Sequence, residues 1–290
     1  MPEAPRQLLV NADDLGMTRG INRAISEAHR SGIVTSASLI ANGAAFDDAV
    51  AQLQQCPDLG VGLHVNLTQG RPLRADARSS LVDRRGCFYA RGMLATRLSL
   101  GAVSMADVED EIAAQAQRAA RAGIRLTHFD SHEHVHLHPL VAPALTRVAR
   151  QMNVGWIRFR DQRPVLPALL REAGLLRLTD HTRHLMVMLG CRLSMSGDSA
   201  GPARRWVVGA PQLMRASPRH LFGALVRSIE SGVTEWVCHP GYADEELRAL
   251  IPPAQADWRE AELKLLTDPE CRELLHAAGI GLVSYAQLAG

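Results

Sequence analysis

The stretch Leu8-Leu-Val-Asn-Ala-Asp-Asp-Leu-Gly16 decides the fold class, because an apolar segment runs directly into two adjacent carboxylates. Short, continuously apolar strands are typical of parallel sheets that are covered by helices on their faces. A helical pattern follows from Thr18 to Ser31, and Gly32 is suited to end it. A strand, a polar turn and a helix in this order predict the first unit of an α/β fold.

The same alternation continues along the chain. Further strands are predicted around 36–40, 61–66, 126–130, 156–159, 235–238 and 281–284, and further helices around 104–123, 140–152 and 219–231. The helix around 104–123 begins with a capping box at Ser104. Residues 1–290 are therefore predicted to form one barrel-like domain, with an unassigned insertion at about 178–218.

Composition excludes several classes of protein. The 290 residues carry a formal net charge of only +2, which argues against nucleic acid as a partner. The only lysine, Lys264, lies in a helical pattern typical of a protein surface, so Schiff-base chemistry is disfavoured. No signal peptide or membrane span is apparent, and five scattered cysteines without a Cys-x-x-Cys pair argue against a disulfide framework. We expect a cytoplasmic protein, and general frequencies favour a homodimer.

Four polar clusters follow predicted strands directly, where the catalytic groups of parallel α/β folds collect. They are Asn11-Ala-Asp-Asp14, His64-Val-Asn66, the stretch from Asp130 to His138, and His239-Pro-Gly241. An isolated Asp after a strand is usually a helix cap or a turn residue. Two adjacent carboxylates at a buried strand end, however, need a cation or a shared proton to offset their repulsion. A metal that binds one Asp, with the other as a base, satisfies this need.

The stretch from His128 to His138 carries five of the twelve histidines. If the chain stays extended there, these imidazoles and Asp130 share one face. Histidine is the commonest transition-metal ligand, so a cluster of this density indicates a metal site. His64 alone would be interpreted as a satisfied core residue, and His239 alone as a turn residue before Pro-Gly. The functional interpretation of both residues is strengthened because they lie at strand ends, as the Asp pair does.

These clusters, in this order, resemble the YdjC-type carbohydrate deacetylase family, whose best-known members are chitooligosaccharide deacetylases. The Asn-Ala-Asp-Asp and Asp-Ser-His-x-His-Val-His motifs are specific in combination. The matching segments are Val10–Gly16, Gly32–Leu39, Gly62–Pro72, Thr127–His136 and Cys238–Gly241. The resemblance implies a distorted seven-stranded (β/α) barrel of the glycoside hydrolase/deacetylase type.

The resemblance also implies roles by position. The metal ligands would be Asp14, His64 and His132, the general base Asp13 and the general acid His239. Arg158 would be the partner of Asp13, although many relatives carry a Pro soon after that Arg, where this chain has Phe159-Arg160-Asp161. Metal sites commonly need further polar groups around their ligands or substrate. The remaining candidates for such contacts are Asp130, His134, His136, Asn66 and Arg71.

The reaction expected from this set is removal of an N-acetyl group from an amino sugar, in an oligosaccharide or a glycolipid. One divalent ion would activate water, with Zn²⁺ favoured by two His and one carboxylate, and Mg²⁺, Mn²⁺ or Co²⁺ as alternatives. A second hypothesis is a metal-dependent phosphoesterase or another amidohydrolase, with a second ion on His134, His136 and His138. A third is a binding protein without turnover, which would need neither a base nor an acid.

Overall fold

The structure is a computed structural model that describes residues 4–74, 79–158, 163–164, 204–208 and 218–288. Its strands are β1 (Arg6–Leu15), β2 (Ser36–Leu39), β3 (Gly60–Val65), β4 (Leu126–Ser131), β5 (Trp156–Ile157), β6 (Arg163–Pro164), β7 (Arg204–Val208), β8 (Gly232–Cys238) and β9 (Gly281–Leu282). Its helices are α1 (Arg19–Arg30), α2 (Phe46–Leu53), α3 (Arg91–Ser99), α4 (Met105–Arg121), α5 (Val141–Gln151), α6 (Pro218–Ser228), α7 (Glu245–Leu250), α8 (Pro253–Leu266), α9 (Pro269–Ala277) and α10 (Tyr285–Leu288).

The strands form one parallel sheet in the order β5-β4-β3-β2-β1-β8-β7-β6, with β9 paired to β1. The expected α/β class and barrel-like parallel sheet are therefore confirmed. Within the described ranges, six strands of this path have four to ten residues, and the two-residue strands β5 and β6 lie at its ends. The resemblance implied seven strands; this number lies between the six longer strands and the eight strands of the whole path.

The sheet is strongly curled. Arg158 follows β5 directly, yet its Nε donates to Glu235 Oε1 on β8 at 2.8 Å. β5 and β8 are five steps apart in the strand order. In a flat sheet that separation would be about 24 Å, at about 4.8 Å per strand. An arginine side chain cannot span this distance, so the strands must close around a common interior, as in a barrel.

Alternation along β1 separates the two faces of the sheet. Leu8, Val10 and Ala12 belong to the large core that is shared with the surrounding helices. The residues between them point inward: Leu9 packs in a small interior cluster with Val233, Val283 and Tyr285. Further along the same face come Asn11 and Asp13, so the interior changes from apolar to polar towards the carboxyl ends of the strands.

Two helix starts are capped by side chains, but the reciprocal contact of the expected capping box is not made, because the Ser104 amide donates to Ser80 Oγ at 2.8 Å. Thr18 Oγ1 accepts from the Ile21 amide at 3.1 Å at the start of α1. Ser104 Oγ accepts from the Asp107 amide at 3.4 Å at the start of α4. These side chains satisfy amides that have no partner within the helix.

The histidine-rich stretch does not stay extended beyond Ser131, so the condition under which all of its side chains would share one face is not met. β4 ends at Ser131, and residues His132–Leu137 form a tight 3₁₀ segment. Glu133 and His134 have φ angles of 54° and 57°, in the left-handed region. This reversal breaks the alternation of the strand and directs the later histidines to different surroundings.

The unassigned segment at about 178–218 is described only in part. Residues 204–208 form β7, which pairs with β8, and residue 218 begins α6. The rest of the segment lies outside the described residues, and the expectation of a single domain over 1–290 stays a prediction. Among the helices that the structure describes, none combines the length and apolarity needed to cross a membrane.

Gly62 generates a test of the interior packing. A Cβ atom at this position would lie 2.4–2.5 Å from ring atoms of His128. The His128 ring cannot retreat, because it stacks on Tyr285 at 3.8 Å and its Nε2 lies 3.0 Å from Ser38 Oγ. We expect Gly62→Ala to lower the free energy of unfolding by about 1–3 kcal/mol, as overpacked cores do. Urea unfolding measures the change.

Gly92 in α3 provides the matched control, because a Cβ atom there would meet nothing within 4 Å. Gly92→Ala should leave the protein equally stable or stabilise it by up to about 1 kcal/mol, through helix propensity alone. Equal effects of the two substitutions would contradict the tight packing of the interior.

Candidate metal centre

The two adjacent aspartates point into the same site because the end of β1 is irregular. In a regular strand, neighbouring side chains point to opposite faces. Asp14, however, has a φ angle of 72°, and the β1–β2 register shifts between Ala12 and Leu15. Asp and Asn tolerate the left-handed region better than most residues, and such bulges commonly redirect a side chain beside an active site. Both aspartate residues are about 1% exposed.

Asp14 lies between the two expected histidine ligands. Its Oδ1 is 2.9 Å from His132 Nδ1 and 3.4 Å from His64 Nε2. These three ligand atoms lie within 4.8 Å of one another. Ligands at about 2.1 Å from a tetrahedral zinc ion are roughly 3.4 Å apart, so the set could close on one ion with small adjustments. Two imidazole nitrogens and one carboxylate oxygen are also a donor set typical of catalytic zinc.

Asp130 orients His64. His64 Nδ1 lies 2.7 Å from Asp130 Oδ1, and because a carboxylate only accepts, Nδ1 carries the proton and Nε2 faces Asp14. Burial alone would lower the pKa of His64, but Asp130 and Asp13 raise it to about 10. An ion bound at Nε2 would thus take the place of a proton. A carboxylate behind a histidine ligand is a common support of metal sites.

Arg158 neutralises the carboxylates beneath this site. Its Nη1 and Nη2 donate to the two oxygens of Asp13 at 2.8 and 2.7 Å, and Nη2 also lies 2.7 Å from Asp130 Oδ2. With Glu235 on Nε, three carboxylates surround one fully buried guanidinium. Burial opposes ionisation of Asp13 and Asp130, yet Arg158 holds the pKa of both below the usual range. The structure thus brings Arg158 to Asp13, as the resemblance implied.

A second group of ligand atoms, from Asp13, His64 and Asp130, is less suited to an ion. Both of its carboxylates already bind the Arg158 guanidinium, whose charge would repel a cation. In addition, Asp130 faces the protonated nitrogen of His64. Asp14, His64 and His132 remain the better set.

His239 lies beside Asp13, with 3.9 Å between His239 Nε2 and Asp13 Oδ2. Its backbone amide donates to Glu262 Oε2 at 2.8 Å. Burial lowers the pKa of His239 to about 4, so the imidazole is neutral at pH 7. Burial also raises the pKa of Glu262 to about 7.

Three other histidine and asparagine candidates, His136, His138 and Asn66, serve local structure. His136 Nδ1 lies 2.5 Å from Ser131 Oγ, and His138 Nδ1 accepts from the Leu140 amide at 3.3 Å. Asn66 Oδ1 accepts from the amides of Thr68 and Gln69 and so shapes the loop after β3. Arg71 is exposed in that loop, and His134 is half-buried on the 3₁₀ segment. Contacts of Asn66, Arg71, His134 and His136 with a substrate or an ion stay predictions.

Sequence reasoning missed four residues of this site. Ser38 Oγ donates to Asp130 Oδ2 at 2.6 Å, and Arg259 Nη2 lies 2.5 Å from Asp14 Oδ2. Glu235 and Glu262 contact Arg158 and His239 as described above. Glu235 carries a signal that could have found it, since it is a lone acid within an otherwise uncharged strand, Gly232–Cys238. Arg259 and Glu262 lie in a helix rich in charged residues and stand out by no local pattern.

Comparisons with known proteins find matches along nearly the whole chain. A sequence model of the family described as YdjC-like protein matches residues 7–277. The chain is 34% identical over 292 residues to a carbohydrate deacetylase of Brevibacillus brevis, with 97% of this chain and 99% of the relative covered. It is 34% identical to the carbohydrate deacetylase of Geobacillus stearothermophilus, with 98% of each chain covered. Against the Vibrio cholerae carbohydrate deacetylase, identity is 31%, with 97% and 96% covered.

A solved structure has the same fold. It is a protein of Enterococcus faecalis V583 described as a candidate cellobiose-phosphate cleavage protein. It superposes with a TM-score of 0.70 at 22% sequence identity, and the match covers 99% of this chain and all of that one. At this identity the likeness concerns the fold alone.

The carboxylate cluster around Arg158 generates a pH-dependent prediction. In protein freed of metal by a chelator, Arg158→Met should lower the free energy of unfolding at pH 7 by about 3–5 kcal/mol, because buried carboxylates lose their counter-charge. The pKa of Asp13 and Asp130 is lowered in the parent, so their contribution is present above pH 4 and fades as the pH falls. In the variant their pKa should rise, so the stability deficit should shrink from pH 7 to pH 5. Urea unfolding at the two pH values checks this.

Arg147→Met is the control for a guanidinium on the surface. Arg147 Nη2 lies 2.6 Å from Glu109 Oε2, but the two side chains are 51% and 28% exposed. This change should cost less than about 1 kcal/mol at either pH. A loss of similar size and pH dependence in both variants would show that Arg158 does not neutralise the buried cluster.

Proposed function

Because the chain belongs to the family of YdjC-like proteins, we propose that it is a metal-dependent hydrolase that removes an N-acetyl group from an amino sugar. Curated relatives named carbohydrate deacetylase cover nearly its whole length at 31–34% identity. The proposal rests on one observation: two adjacent carboxylates, of Asp14 and Asp13, have different partners. Asp14 presents one oxygen to two imidazoles, and beside it Asp13 lies near His239.

The residues present fit a divalent ion held by Asp14, His64 and His132. When bound, such an ion supplies Lewis acidity: it lowers the pKa of a coordinated water towards about 7 and polarises a carbonyl oxygen. Two nitrogens and one oxygen favour Zn²⁺, with Mg²⁺, Mn²⁺ and Co²⁺ as alternatives. Among the residues that the structure describes, the two possible ligand groups share His64, and this favours one ion, as in a deacetylase, over a two-ion phosphoesterase.

Asp13 would accept the proton of the attacking water. Arg158 fixes both of its oxygens and keeps it ionised, so it is available as a base, although a weak one. A weak base must pass its proton on for the reaction to proceed. His239 Nε2, 3.9 Å from Asp13 Oδ2, is the nearby group able to take it.

His239 would donate the proton to the departing amine. An amine is a poor leaving group unless it is protonated, so amide hydrolysis needs an acid on that side. Because His239 is neutral at pH 7, it must first receive a proton. A relay from water through Asp13 to His239 and then to the amine balances the protons without a further donor.

Separate tests of the two aspartates examine this division of roles. Purified protein should deacetylate N-acetylated amino sugars in the presence of a divalent ion and lose the activity with a chelator. Asp14→Asn should bind far less metal, because an amide is a poorer ligand than a carboxylate. Asp13→Asn should keep its metal but lose roughly 10²–10⁴ in kcat. Elemental analysis and kinetics measure both properties.

His132→Ala is the companion to Asp14→Asn and should lose metal in the same way. If Asp13→Asn and Asp14→Asn lose metal equally, the assignment of ligand and base is wrong. Activity of the parent that is indifferent to chelators and added ions would contradict metal dependence altogether.

The role of His239 is tested through the leaving group. His239→Ala should lower kcat on an N-acetyl sugar by roughly 10²–10⁴ while keeping its metal. On an aryl acetate the loss should be much smaller, because a phenolate leaves without protonation. Equal losses on the amide and the ester would instead indicate that His239 orients the acyl group. If His239→Ala keeps full activity on the amide, His239 is only a turn residue before Pro240.

A further inference from the structure

The two oxygens of Asp14 have different partners. Oδ1 faces His132 Nδ1 at 2.9 Å and His64 Nε2 at 3.4 Å. Oδ2 lies 2.5 Å from Arg259 Nη2. One oxygen of the carboxylate is thus turned to the two histidines and the other to a guanidinium.

Arg259 is well placed to keep this orientation. Its side chain is only 13% exposed, and the Asp14 side chain is 2% exposed, so water screens the pair weakly. The Arg259 carbonyl accepts from the Gly241 amide at 3.3 Å, which ties α8 to the turn after β8. Glu262, nearly one helical turn further on, accepts from the His239 amide. α8 thus contacts both Asp14 and the backbone of the candidate acid.

The orientation needs such a partner. The last torsion of an aspartate side chain is broad and roughly two-fold, so rotamer preference alone does not decide which oxygen faces an ion. A carboxylate can bind a metal through one oxygen or through both. The number of bound oxygens changes the coordination number and therefore the positions left for water and substrate.

We propose that Arg259 is a positioning residue that fixes Asp14 as a one-oxygen metal ligand by holding Oδ2 away from the ion; this inference rests on the metal site of the proposed function. The neighbouring aspartate shows the contrasting case. Arg158 binds both oxygens of Asp13. Arg158 thus keeps Asp13 from acting as a metal ligand, whereas Arg259 leaves one oxygen of Asp14 free to bind the ion.

Cobalt(II) substitution tests the proposal, because its visible absorption is strong in four-coordinate sites and weak at higher coordination. Arg259→Met removes the guanidinium donor to Oδ2 while keeping an unbranched side chain. The freed oxygen should join the ion, so the cobalt-loaded variant should lose visible absorbance at equal occupancy. Arg259→Lys, which retains a cationic donor, should restore the spectrum of the parent. Isothermal titration should find cobalt affinity changed by no more than roughly 100-fold.

Asp257→Asn is the control on the same helix. Asp257 pairs with Arg248 on the surface, where the side chains are 61% and 40% exposed. This variant should keep the spectrum and affinity of the parent. A spectrum of Arg259→Met identical to that of the parent would overturn the proposal, as would a folded Arg259→Met protein that binds no cobalt.

A second measurement needs no variant. In crystals of the zinc-loaded parent, Asp14 Oδ1 should bind the ion and Oδ2 should stay on Arg259; both oxygens on the ion would overturn the inference. Failure of the proposed reaction is distinguishable from failure of this inference. If cobalt binds and the spectrum responds to Arg259→Met but no N-acetyl sugar is hydrolysed, the positioning role stands and the proposed activity falls.

Discussion

One guanidinium lies among three buried carboxylates at the centre of the sheet. Asp13 on β1, Asp130 on β4 and Glu235 on β8 all contact Arg158, which follows β5. Leaving one of these buried charges without its partner would cost several kcal/mol. The folded state is therefore favoured only if the strands that carry these residues converge on Arg158. Bringing these strands to one guanidinium also requires the sheet to curl. The same contacts orient Asp13 directly and His64 through Asp130.

The arginines explain how two neighbouring aspartates acquire different chemistry. A sequence of two carboxylates offers no distinction between them. The left-handed backbone at Asp14 brings it into the site beside Asp13, and each then meets its own guanidinium. Asp13 is held through both oxygens by Arg158, whereas Asp14 keeps one oxygen facing His64 and His132. Differential pairing therefore separates a candidate base from a candidate ligand.

The sequence predicted the parts of the molecule that local patterns encode. β1, the capped start of α4 and the strand-end polar clusters are local features, and they were found. Arg259 was not found because its partner lies 245 residues away, and neither residue type nor spacing marks that pairing. The course of the histidine run after β4 could not be predicted for a different reason: two left-handed residues, Glu133 and His134, end the alternation of an extended chain.

Exposure along the interior indicates how a substrate would approach. The Asp130 and Arg158 side chains are 0% exposed, His64 is 2% exposed, and His132 and His239 are 16% and 25% exposed. The candidate site therefore opens at the carboxyl ends of the strands, where the candidate ligand His132 and the candidate acid His239 meet solvent. A large sugar can stay outside while its acyl group enters. If the buried network below orients the reacting groups as proposed, differences in sugar specificity should arise in the loops at this open end.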